Sequence, residues 1–536
     1  MRAKKIGAAG RVVAFIDIGT NSVRMLVVRF NANHSYSILT RQKQQVRLGD
    51  GEFDDEEIKP EAIDRASLVC RKFVDLARTH SAEEFVAVAT SAAREASNQI
   101  ELLDRLRREA LLDVRVVSGR EEARLIYLGV ASGMHLGDRQ AFFIDIGGGS
   151  TEISLGGQQQ FQMLESFRLG AIRLTNLFLS QNLAGPVRPD QYKVVQQYVK
   201  NAIIHTVQKI KKQKIDLTVG SSGSIMNLAD IAQKALQKDI PSLPGVLTYR
   251  DLKKVIDLLC SLPLEERRKV PGINPERADI IIAGAVILDT FMKELSLESV
   301  TTTSRGLQDG LLVDYLSRME DFPLFGTLSP RETSVLQLGR SCVINEAHAR
   351  TVTRLVLEIF DSAKDLKLHD YGEWERELLE YAAFLHDIGS FISFTNHHAH
   401  TYYIIKNSDL LGFDQKEIDI MANIARFHRK KKPRKKYLDI VEIADHEQRM
   451  VLVLAMFVRL GESLDRSHAG LVEHTKFVRA DKNEIVLDIV AQNDCQLEIW
   501  GVEAEQKAFE KVFSKHLIIN VIAPRTGGDA NGYQEN

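Results

Sequence analysis

A short segment occurs twice in this chain. Ala14–Ser22 (AFIDIGTNS) is echoed by Phe142–Ser150 (FFIDIGGGS), which puts Asp17 and Asp145 in register. Each copy has an apolar run, a turn rich in Gly, Thr, Asn or Ser, and a second apolar run, a pattern typical of a β-hairpin. A repeated hairpin of this kind predicts two related domains.

The residues after each hairpin alternate between strand and helix patterns with short turns. The sequence therefore predicts doubly wound α/β domains. In the first copy we expect strands at Ser35–Leu39, Phe85–Ala89 and Asp113–Val117, and helices at Pro60–Arg78 and Gln99–Glu109. In the second copy we expect strands to about Arg168, a helix at Pro189–Lys211, a strand at Ile215–Val219 and a buried helix at Ile280–Leu288.

From about Leu311 the pattern changes to long helical segments rich in His, followed by short strands. This predicts an all-α domain and then a small α+β domain. For the α+β part we expect strands at Thr475–Val478, Glu484–Val490, Gln496–Trp500 and Leu517–Val521, with a helix at Glu503–Lys515. The predicted domains are residues 1–127, 128–311, 312–472 and 473–524, with a disordered tail at 525–536.

Composition excludes several classes of protein. The chain has 70 Lys and Arg against 72 Asp and Glu, so it is not a globally basic DNA-binding protein, and we expect no DNA partner. Its four cysteines form no CxxC pair, which argues against a zinc ribbon or a disulfide framework. No apolar run approaches the ~20 residues that span a bilayer, and no secretory signal is evident. A cytoplasmic protein is expected.

The two hairpin turns have the composition of phosphate-binding loops. Small residues let backbone N–H groups approach an anion, and hydroxyl groups add donors. The candidate phosphate ligands are Thr20, Asn21, Ser22, Gly147, Gly148, Gly149, Ser150 and Thr151. Asp17 and Asp145, one at each strand end, could hold Mg²⁺ or Mn²⁺ through oxygen. Two facing turns of this kind would bind a polyphosphate from both sides. The alternative is that they are hairpin turns with no binding function. No GxxxxGK[ST] P-loop is present.

Five motifs together resemble one family. DIGTNSVR at 17–24 and DIGGGSTE at 145–152 are accompanied by ATSAAR at 89–94, SGREEAR at 118–124 and LQDGLL at 307–312. In this order they resemble the exopolyphosphatase/guanosine pentaphosphate phosphohydrolase (Ppx/GppA) family. The resemblance implies two actin/Hsp70-like (ribonuclease H-like) α/β domains, hydrolysis of a phosphoanhydride and a homodimer.

Hydrolysis of a phosphoanhydride needs cations near the transferred group and an oriented water. Arg24 and Arg94 suit the first task, since a guanidinium meets phosphate bidentately; the alternative is a surface ion pair. Ser118 and Glu121 form a capping-box pattern, which gives Glu121 a structural duty. Glu122 is then the candidate base, and the resemblance places the family's catalytic glutamate there too. Glu152 could hold Mg²⁺ or water, or face solvent.

Two weaker features lie near these motifs. Gly220–Ser224 (GSSGS) falls between a predicted strand and a helix, so its amides could receive further phosphates; a plain strand-to-helix turn is the alternative. At Gln308-Asp309 the family more usually has Arg-Glu. This departure puts in doubt any polar contact made by that Arg.

The helical part contains a second constellation. His348, His386-Asp387 and Asp465 lie on three predicted helices, in an order that resembles the HD metal-dependent phosphohydrolase superfamily. Imidazole and carboxylate together suit divalent ions such as Mn or Fe, so these residues are a candidate second metal site in an HD-like domain. Further ligands or phosphate contacts could come from His397, His398, His400 and His428. The alternative is that the histidines pack in the core.

A dense basic run at 429–436 (RKKKPRKK) completes the sequence features. In a phosphate enzyme it would guide a long polyanion, although a solvated loop is the alternative. Together the features predict an exopolyphosphatase that removes terminal phosphate from inorganic polyphosphate, with Glu122 orienting water. Hydrolysis of pppGpp to ppGpp is the alternative in the same class. An actin-like kinase and a non-catalytic polyphosphate or alarmone sensor are more distant alternatives.

Overall fold

The computed structural model describes residues 10–50, 56–236, 245–319, 328–429, 445–491 and 494–522. The predicted disordered tail at 525–536 lies outside these ranges. The chain divides into two compact units, Met1–Pro330 and Arg331–Asn536. No helix in the described ranges is long and apolar enough to cross a membrane. All four cysteines are free thiols, as their spacing predicted.

The first copy of the repeat forms a mixed five-stranded sheet in the order β3-β2-β1-β4-β5. β1 and β2 pair antiparallel as the predicted hairpin, and β4 and β5 add parallel strands. The strands are β1 (Arg11–Ile18), β2 (Ser22–Phe30), β3 (Tyr36–Gln45), β4 (Glu84–Ala89) and β5 (Val114–Val116). The helices are α1 (Pro60–Thr79), α2 (Ser91–Glu95), α3 (Gln99–Ala110) and α4 (Gly119–Ala131).

The second copy forms a six-stranded sheet in the order β10-β11-β9-β6-β7-β8. Its central strands β8-β7-β6-β9 repeat the connectivity of β3-β2-β1-β4. The strands are β6 (Ala141–Ile146), β7 (Thr151–Gly156), β8 (Phe161–Phe167), β9 (Leu217–Ser221), β10 (Val246–Thr248) and β11 (Ser299–Thr302). The helices are α5 (Ala171–Phe178), α6 (Pro189–Ile210), α7 (Ser222–Ala235), α8 (Tyr249–Ser261), α9 (Leu264–Arg267) and α10 (Ile281–Leu295), with α11 (Leu307–Ser317) after β11.

A shared apolar core joins the two sheets through α4 and α11. Phe15 and Phe143, one from each sheet, belong to the same buried cluster as Leu125 of α4 and Leu311 of α11. The two helices approach closely at Gly310, where a Cβ atom would lie 1.8 Å from the carbonyl oxygen of Leu125. This packing fixes α4, the helix that carries Glu122, relative to both hairpins.

Within the described ranges, the second unit begins with six helices, which agrees with the predicted helical pattern. They are α12 (Pro330–Ser341), α13 (Glu346–Asp365), α14 (Glu373–Phe384), α15 (His397–Lys406), α16 (Gln415–Arg426) and α17 (Asp445–Leu464). Asparagine and aspartate side chains cap two of them: Asn345 accepts from the N–H of His348, and Asp414 accepts from the N–H of Glu417.

The C-terminal part of this unit is a three-stranded sheet with one helix, α18 (Gln496–Phe513). The strands are β12 (Val472–Ala480), β13 (Glu484–Ala491) and β14 (His516–Ile522). The predicted strand at Gln496–Trp500 is wrong, because this segment is the first part of α18. Its buried positions Glu498, Val502 and Phe509 recur at helical spacing, a period that five residues are too short to reveal.

Candidate functional site

The two repeated hairpins end in the same backbone turn. The N–H of Gly19 donates to the carbonyl of Ser22 at 3.0 Å, and the N–H of Gly147 donates to the carbonyl of Ser150 at 2.9 Å. The turns face each other, since a Cβ atom on Gly148 would lie 3.1 Å from Cβ of Thr20. Any side chain at position 148 would therefore push the two turns apart.

Neighbouring backbone groups hold each turn in place. In the first hairpin, the carbonyl of Asn21 accepts from the N–H groups of Val46 and Arg47. In the second, the carbonyl of Gly148 accepts from Ile172 and Arg173 at the start of α5. The hydroxyl of Thr151 donates to the carbonyl of Leu169, so this predicted phosphate ligand is engaged within the fold.

Three predicted metal ligands lie behind the turns as buried carboxyl groups. Burial raises the pKa of Asp17 to about 6, against the opposing charge of Arg24. Burial also raises the pKa of Asp145, whose Oδ2 accepts from the hydroxyl of Ser221. Glu152 does not face solvent: it is buried, it accepts from Ser166 at 2.8 Å, and burial and the charge of Glu122 raise its pKa well above the usual range.

Glu122 is the fourth buried carboxyl group of the site. It lies on the first turn of α4, and Nη1 of Arg94 donates to its Oε2 at 2.8 Å and to the carbonyl of Val117 at 3.0 Å. Burial raises the pKa of Glu122 to about 7, although Arg94 opposes the shift. A carboxyl group with this pKa can accept a proton near neutral pH.

The neighbouring Glu121 has a different environment. Its N–H donates to the Ser118 hydroxyl at 3.2 Å, which caps α4 as predicted. Its side chain does not fold back to the cap but pairs with Arg124 through two bonds of 2.8 and 2.9 Å. The two adjacent glutamates thus differ because helix geometry points one into the site and the other away from it.

Two arginines line the site, and sequence reasoning found only one of them. Arg24 lies on β2, directly across the hairpin from Asp17. Arg277 is buried beside Ser224, and its pKa falls to about 10 because of burial and the charge of Arg24. Burial and the same two arginines lower the pKa of Lys43 to about 8. The concentration of positive charge favours an anionic ligand.

The glycine–serine segment makes room for Arg277. β9 ends at Ser221 and α7 begins at Ser222, which has a φ of 88°. A Cβ atom on Gly223 would lie 2.4 Å from the guanidinium carbon of Arg277. A side chain at 223 would therefore displace the guanidinium of Arg277. No local sequence signal pointed to Arg277.

The LQDG segment has a structural explanation. Asp309 accepts from the N–H of Gly306 at the start of α11 and from Arg41 on β3, at 3.1 and 2.9 Å. Its carboxylate caps the helix and ties it to the first sheet.

The facing turns, the carboxyl groups and the arginines enclose a cavity of about 90 Å³. The predicted residues that line it are Asp17, Thr20, Asn21, Ser22, Arg24, Glu122, Asp145, Gly147, Gly148, Gly149 and Ser150. Thr90, Ser222, Gly223 and Arg277 join them. Among the described residues, Arg94, Thr151 and Glu152 lie behind this lining. Arg94 contacts the site through Glu122 instead.

The carboxyl groups fit a hard divalent cation. Asp17 Oδ1 is buried and has no hydrogen-bond partner within the described ranges. Asp17 and Asp145 each raise the pKa of Glu122, after burial, as closely spaced negative charges do. Buried carboxylate oxygens with an unmet partner are the ligands that Mg²⁺ prefers, so Asp17 and Asp145 would hold such an ion.

Comparison with known proteins identifies the family that has this site. The model of the Ppx/GppA phosphatase family matches residues 26–319, and the model of Ppx/GppA phosphatase domain III matches residues 331–506. The chain belongs to the Ppx/GppA phosphatase family. The family model spans most of the first unit, including Glu122, Asp145 and Arg277.

Solved structures agree with the family match. An exopolyphosphatase from Cytophaga hutchinsonii is 27% identical with a TM-score of 0.53, over 58% of this chain and 99% of its own. An exopolyphosphatase-like protein is 26% identical with a TM-score of 0.50, over 57% and 98%. The chain is a phosphoanhydride hydrolase with the actin-like α/β fold of this family.

In the Ppx/GppA domain III, the four predicted metal ligands lie near one another but do not form a single group. Nδ1 of His348 lies 2.7 Å from Asp465, and its Nε2 lies 3.0 Å from Glu462. Nε2 of His386 also contacts Glu462, at 2.9 Å. Asp387 instead lies 3.3 Å from His397. Burial lowers the pKa of His348, but Asp465 and Glu462 outweigh it and raise that pKa to about 9.

Sequence reasoning missed Glu462, which lies on the last turn of α17, three residues before Asp465. Among the other histidines, His397 and His428 are buried and lie 3.0 Å apart through their Nε2 atoms. In the basic run only Arg429 is described; residues 430–436 lie outside the described ranges, so its role in guiding a polyanion stays a prediction.

Proposed function

We propose that this Ppx/GppA protein is a Mg²⁺-dependent exopolyphosphatase that removes the terminal phosphate of inorganic polyphosphate. The observation that carries the proposal is Glu122, a buried base with a pKa of about 7 beside two facing turns and two arginines. The Cytophaga hutchinsonii relative, an exopolyphosphatase, supports the same chemistry.

Each residue has a role that its surroundings suit. Glu122 accepts a proton from the attacking water, and Arg94 positions it by bonding to its Oε2 and to the carbonyl of Val117. Arg24 and Arg277 neutralise the oxygens of the terminal phosphoryl group, and the facing turns align it. A divalent ion held by Asp17 and Asp145 would add charge neutralisation at the same oxygens.

The cavity lining favours a plain phosphate chain over a nucleotide. Among the described residues that line it, none has an aromatic ring on which a purine could stack. The two arginines of the lining suit phosphate oxygens, which every unit of a polyphosphate chain offers. Hydrolysis of pppGpp remains the competing activity, since that substrate ends in the same phosphoanhydride.

A parallel assay tests this proposal. Purified protein with Mg²⁺ is incubated with long polyphosphate, pppGpp and ATP, and released phosphate is measured. We expect the highest kcat/KM on polyphosphate. A higher kcat/KM on pppGpp would show that pppGpp, rather than polyphosphate, is the preferred substrate. Release of phosphate from ATP alone would contradict the proposal.

Replacing Glu122 separates catalysis from binding. Glu122→Gln should lower kcat by about 10²- to 10⁴-fold, the usual contribution of a general base. Glu121→Gln is the matched control, because its side chain bonds to Arg124; we expect activity within about threefold, as for a partly exposed ion pair. Equal effects of the two substitutions on kcat would contradict the proposed role of Glu122 as the general base.

A salt series tests the basic run. If residues 429–436 guide a long chain, raising salt should increase KM for long polyphosphate more than for pppGpp, because more counterions are displaced. Equal increases would argue against this role. The homodimer stays a prediction that sedimentation can check.

A further inference from the structure

Four buried histidines of the second unit share one arrangement of their ring nitrogens. Nδ1 of His386 lies 2.7 Å from the carbonyl of Ala383, and Nδ1 of His397 lies 3.0 Å from the carbonyl of Phe394. A carbonyl oxygen can only accept, so the ring hydrogen of each neutral imidazole is on Nδ1. In this neutral form each Nε2 atom presents a lone pair.

The other two histidines follow the same rule. Nδ1 of His428 donates to the carbonyl of Ala425, and Nδ1 of His348 donates to the Asp465 carboxylate. Asp465 is itself fixed, because its other oxygen accepts from the N–H of Gly470 at 2.8 Å. An outer acceptor on one ring nitrogen is how proteins orient histidines that bind a metal through the other.

All four Nε2 atoms point at electron-rich partners. Those of His348 and His386 lie 3.0 and 2.9 Å from the same oxygen of Glu462. Nε2 of His397 lies 3.0 Å from Nε2 of His428 and 3.3 Å from Asp387. Lone pairs that face each other or face carboxylates in a buried site are unfavourable unless a metal ion or a proton lies between them.

We propose that this unit binds a pair of divalent transition-metal ions. One ion is held by His348, His386 and Glu462, and the other by Asp387, His397 and His428; in each set the ligand atoms lie within 4.8 Å of one another. The two sets adjoin, since the rings of His386 and His428 have centroids 5.2 Å apart. Imidazole with carboxylate selects ions such as Mn, Fe or Zn over Ca.

This assignment changes the ligand set that the sequence predicted. Glu462 is the carboxylate ligand of the first ion, and Asp465 is a positioning residue that orients His348. The carboxylates are also the least buried members: the side chains of Glu462 and Asp387 are 17% and 27% exposed. Ions would enter from this side, where Arg429 lies 3.9 Å from the second oxygen of Glu462.

Protons on the inward nitrogens would satisfy the same contacts, so the test measures metal directly. The full chain is produced with added Mn²⁺, purified with excess Mg²⁺ to occupy the oxygen-lined cleft of the first unit, and analysed for metal content. We expect about two transition-metal ions per chain. A metal-free chain would show that protons fill these positions and would overturn the proposal.

Variants assign the ions to their ligands. Glu462→Gln and His397→Gln should each lower the content to about one ion. His474→Gln, which changes an exposed histidine of the same unit, should leave it unchanged. Unchanged content in Glu462→Gln and His397→Gln would overturn the ligand assignment.

A spectroscopic readout does not depend on the variants folding. Two Mn²⁺ ions in adjoining sites should give an exchange-coupled electron paramagnetic resonance spectrum in the unaltered chain. A chelator should remove that signal and lower Tm, because a ligand bound only by the native state stabilises it. An uncoupled spectrum would contradict the pair.

Discussion

The two hairpins of the repeat have the same backbone and different chemistry. Both close with the same Gly-to-Ser bond, and both carry an Asp at the end of the first strand. Directly across each hairpin, however, Arg24 faces Asp17 in the first copy, whereas Glu152 faces Asp145 in the second. One hairpin supplies a cation to the cleft, and the other places a buried carboxyl group behind it.

This difference explains how a duplicated fold makes a site with two unlike sides. The shared turns bring matched backbone groups to both sides of the cavity. The unlike residues decide the electrostatics: Arg24 lowers the pKa of Asp17 and Asp145, but burial outweighs it and both remain raised. The repeat therefore provides the shared backbone, and the different residues at positions 24 and 152 provide the charge pattern.

Among substitutions in the two hairpins, the largest expected effect comes from replacing the Asp of either one. Asp17→Asn should lower kcat/KM by about 10²- to 10³-fold, the cost of losing a group that stabilises developing charge. Asp145→Asn should cost less, since Asp145 already accepts from Ser221 whereas Asp17 Oδ1 has no partner among described residues. Equal losses would show that the hairpins are equivalent in this respect.

The same Asp17→Asn substitution should not weaken the fold. The pKa of Asp17 is raised from 3.8 to about 6, so the native state binds its proton more tightly than the unfolded state does. The stability this adds is present below about pH 4 and is lost as the pH rises through 6. Tm at pH 8 should therefore stay the same or rise in the variant; a fall would indicate a structural role.

Substitutions at positions 24 and 152 should have smaller effects, which differ from each other in the pH profile of kcat/KM. Arg24→Gln removes a charge that lowers the pKa of Asp17 and Asp145, so the acidic limb should move to higher pH. Glu152→Gln should leave that limb in place, because the charges that shift the pKa of Asp17 and Asp145 include Arg24 but not Glu152. Shifts of the same sign in both variants would contradict the contrast between the hairpins.

The smallest expected effect tests how closely the hairpins face each other. Gly148→Ala places a Cβ atom 3.1 Å from Thr20, so the turns must part by a few tenths of an ångström. We expect about a tenfold fall in kcat/KM, since misplacing groups by 1 Å costs about 10²-fold. Gly157→Ala is the control, as its Cβ would lie 3.9 Å from the nearest atom.

Much of the fold could be predicted because its signals are local. Periodicity and capping residues placed the repeated hairpins, the helix opened by Pro60 and the start of α4 at Ser118. The local pattern failed at Gln496–Trp500, where alternating apolar residues belong to a helix packed through Glu498 and Val502. In that segment tertiary packing, rather than the local period, decided the structure.

The site could be predicted only in part. Glu122 could be separated from Glu121 because helix geometry gives the two neighbours different directions. Arg277 and Glu462 carry no motif, and each reaches its cluster from an element distant in sequence. Their roles depend on contacts such as Gly223 with Arg277 and His386 with Glu462, which local sequence does not encode.

The sequence by itself determined the repeat, its two turns and the residues those turns present, because hydrogen bonds within a hairpin depend on neighbouring residues. Only the tertiary structure decided that Gly148 meets Thr20, that Arg94 contacts Glu122 rather than the cavity, and that Glu462 joins the histidines. Those contacts join residues far apart in the chain. They exist because apolar cores fix the distances between elements that share no local signal.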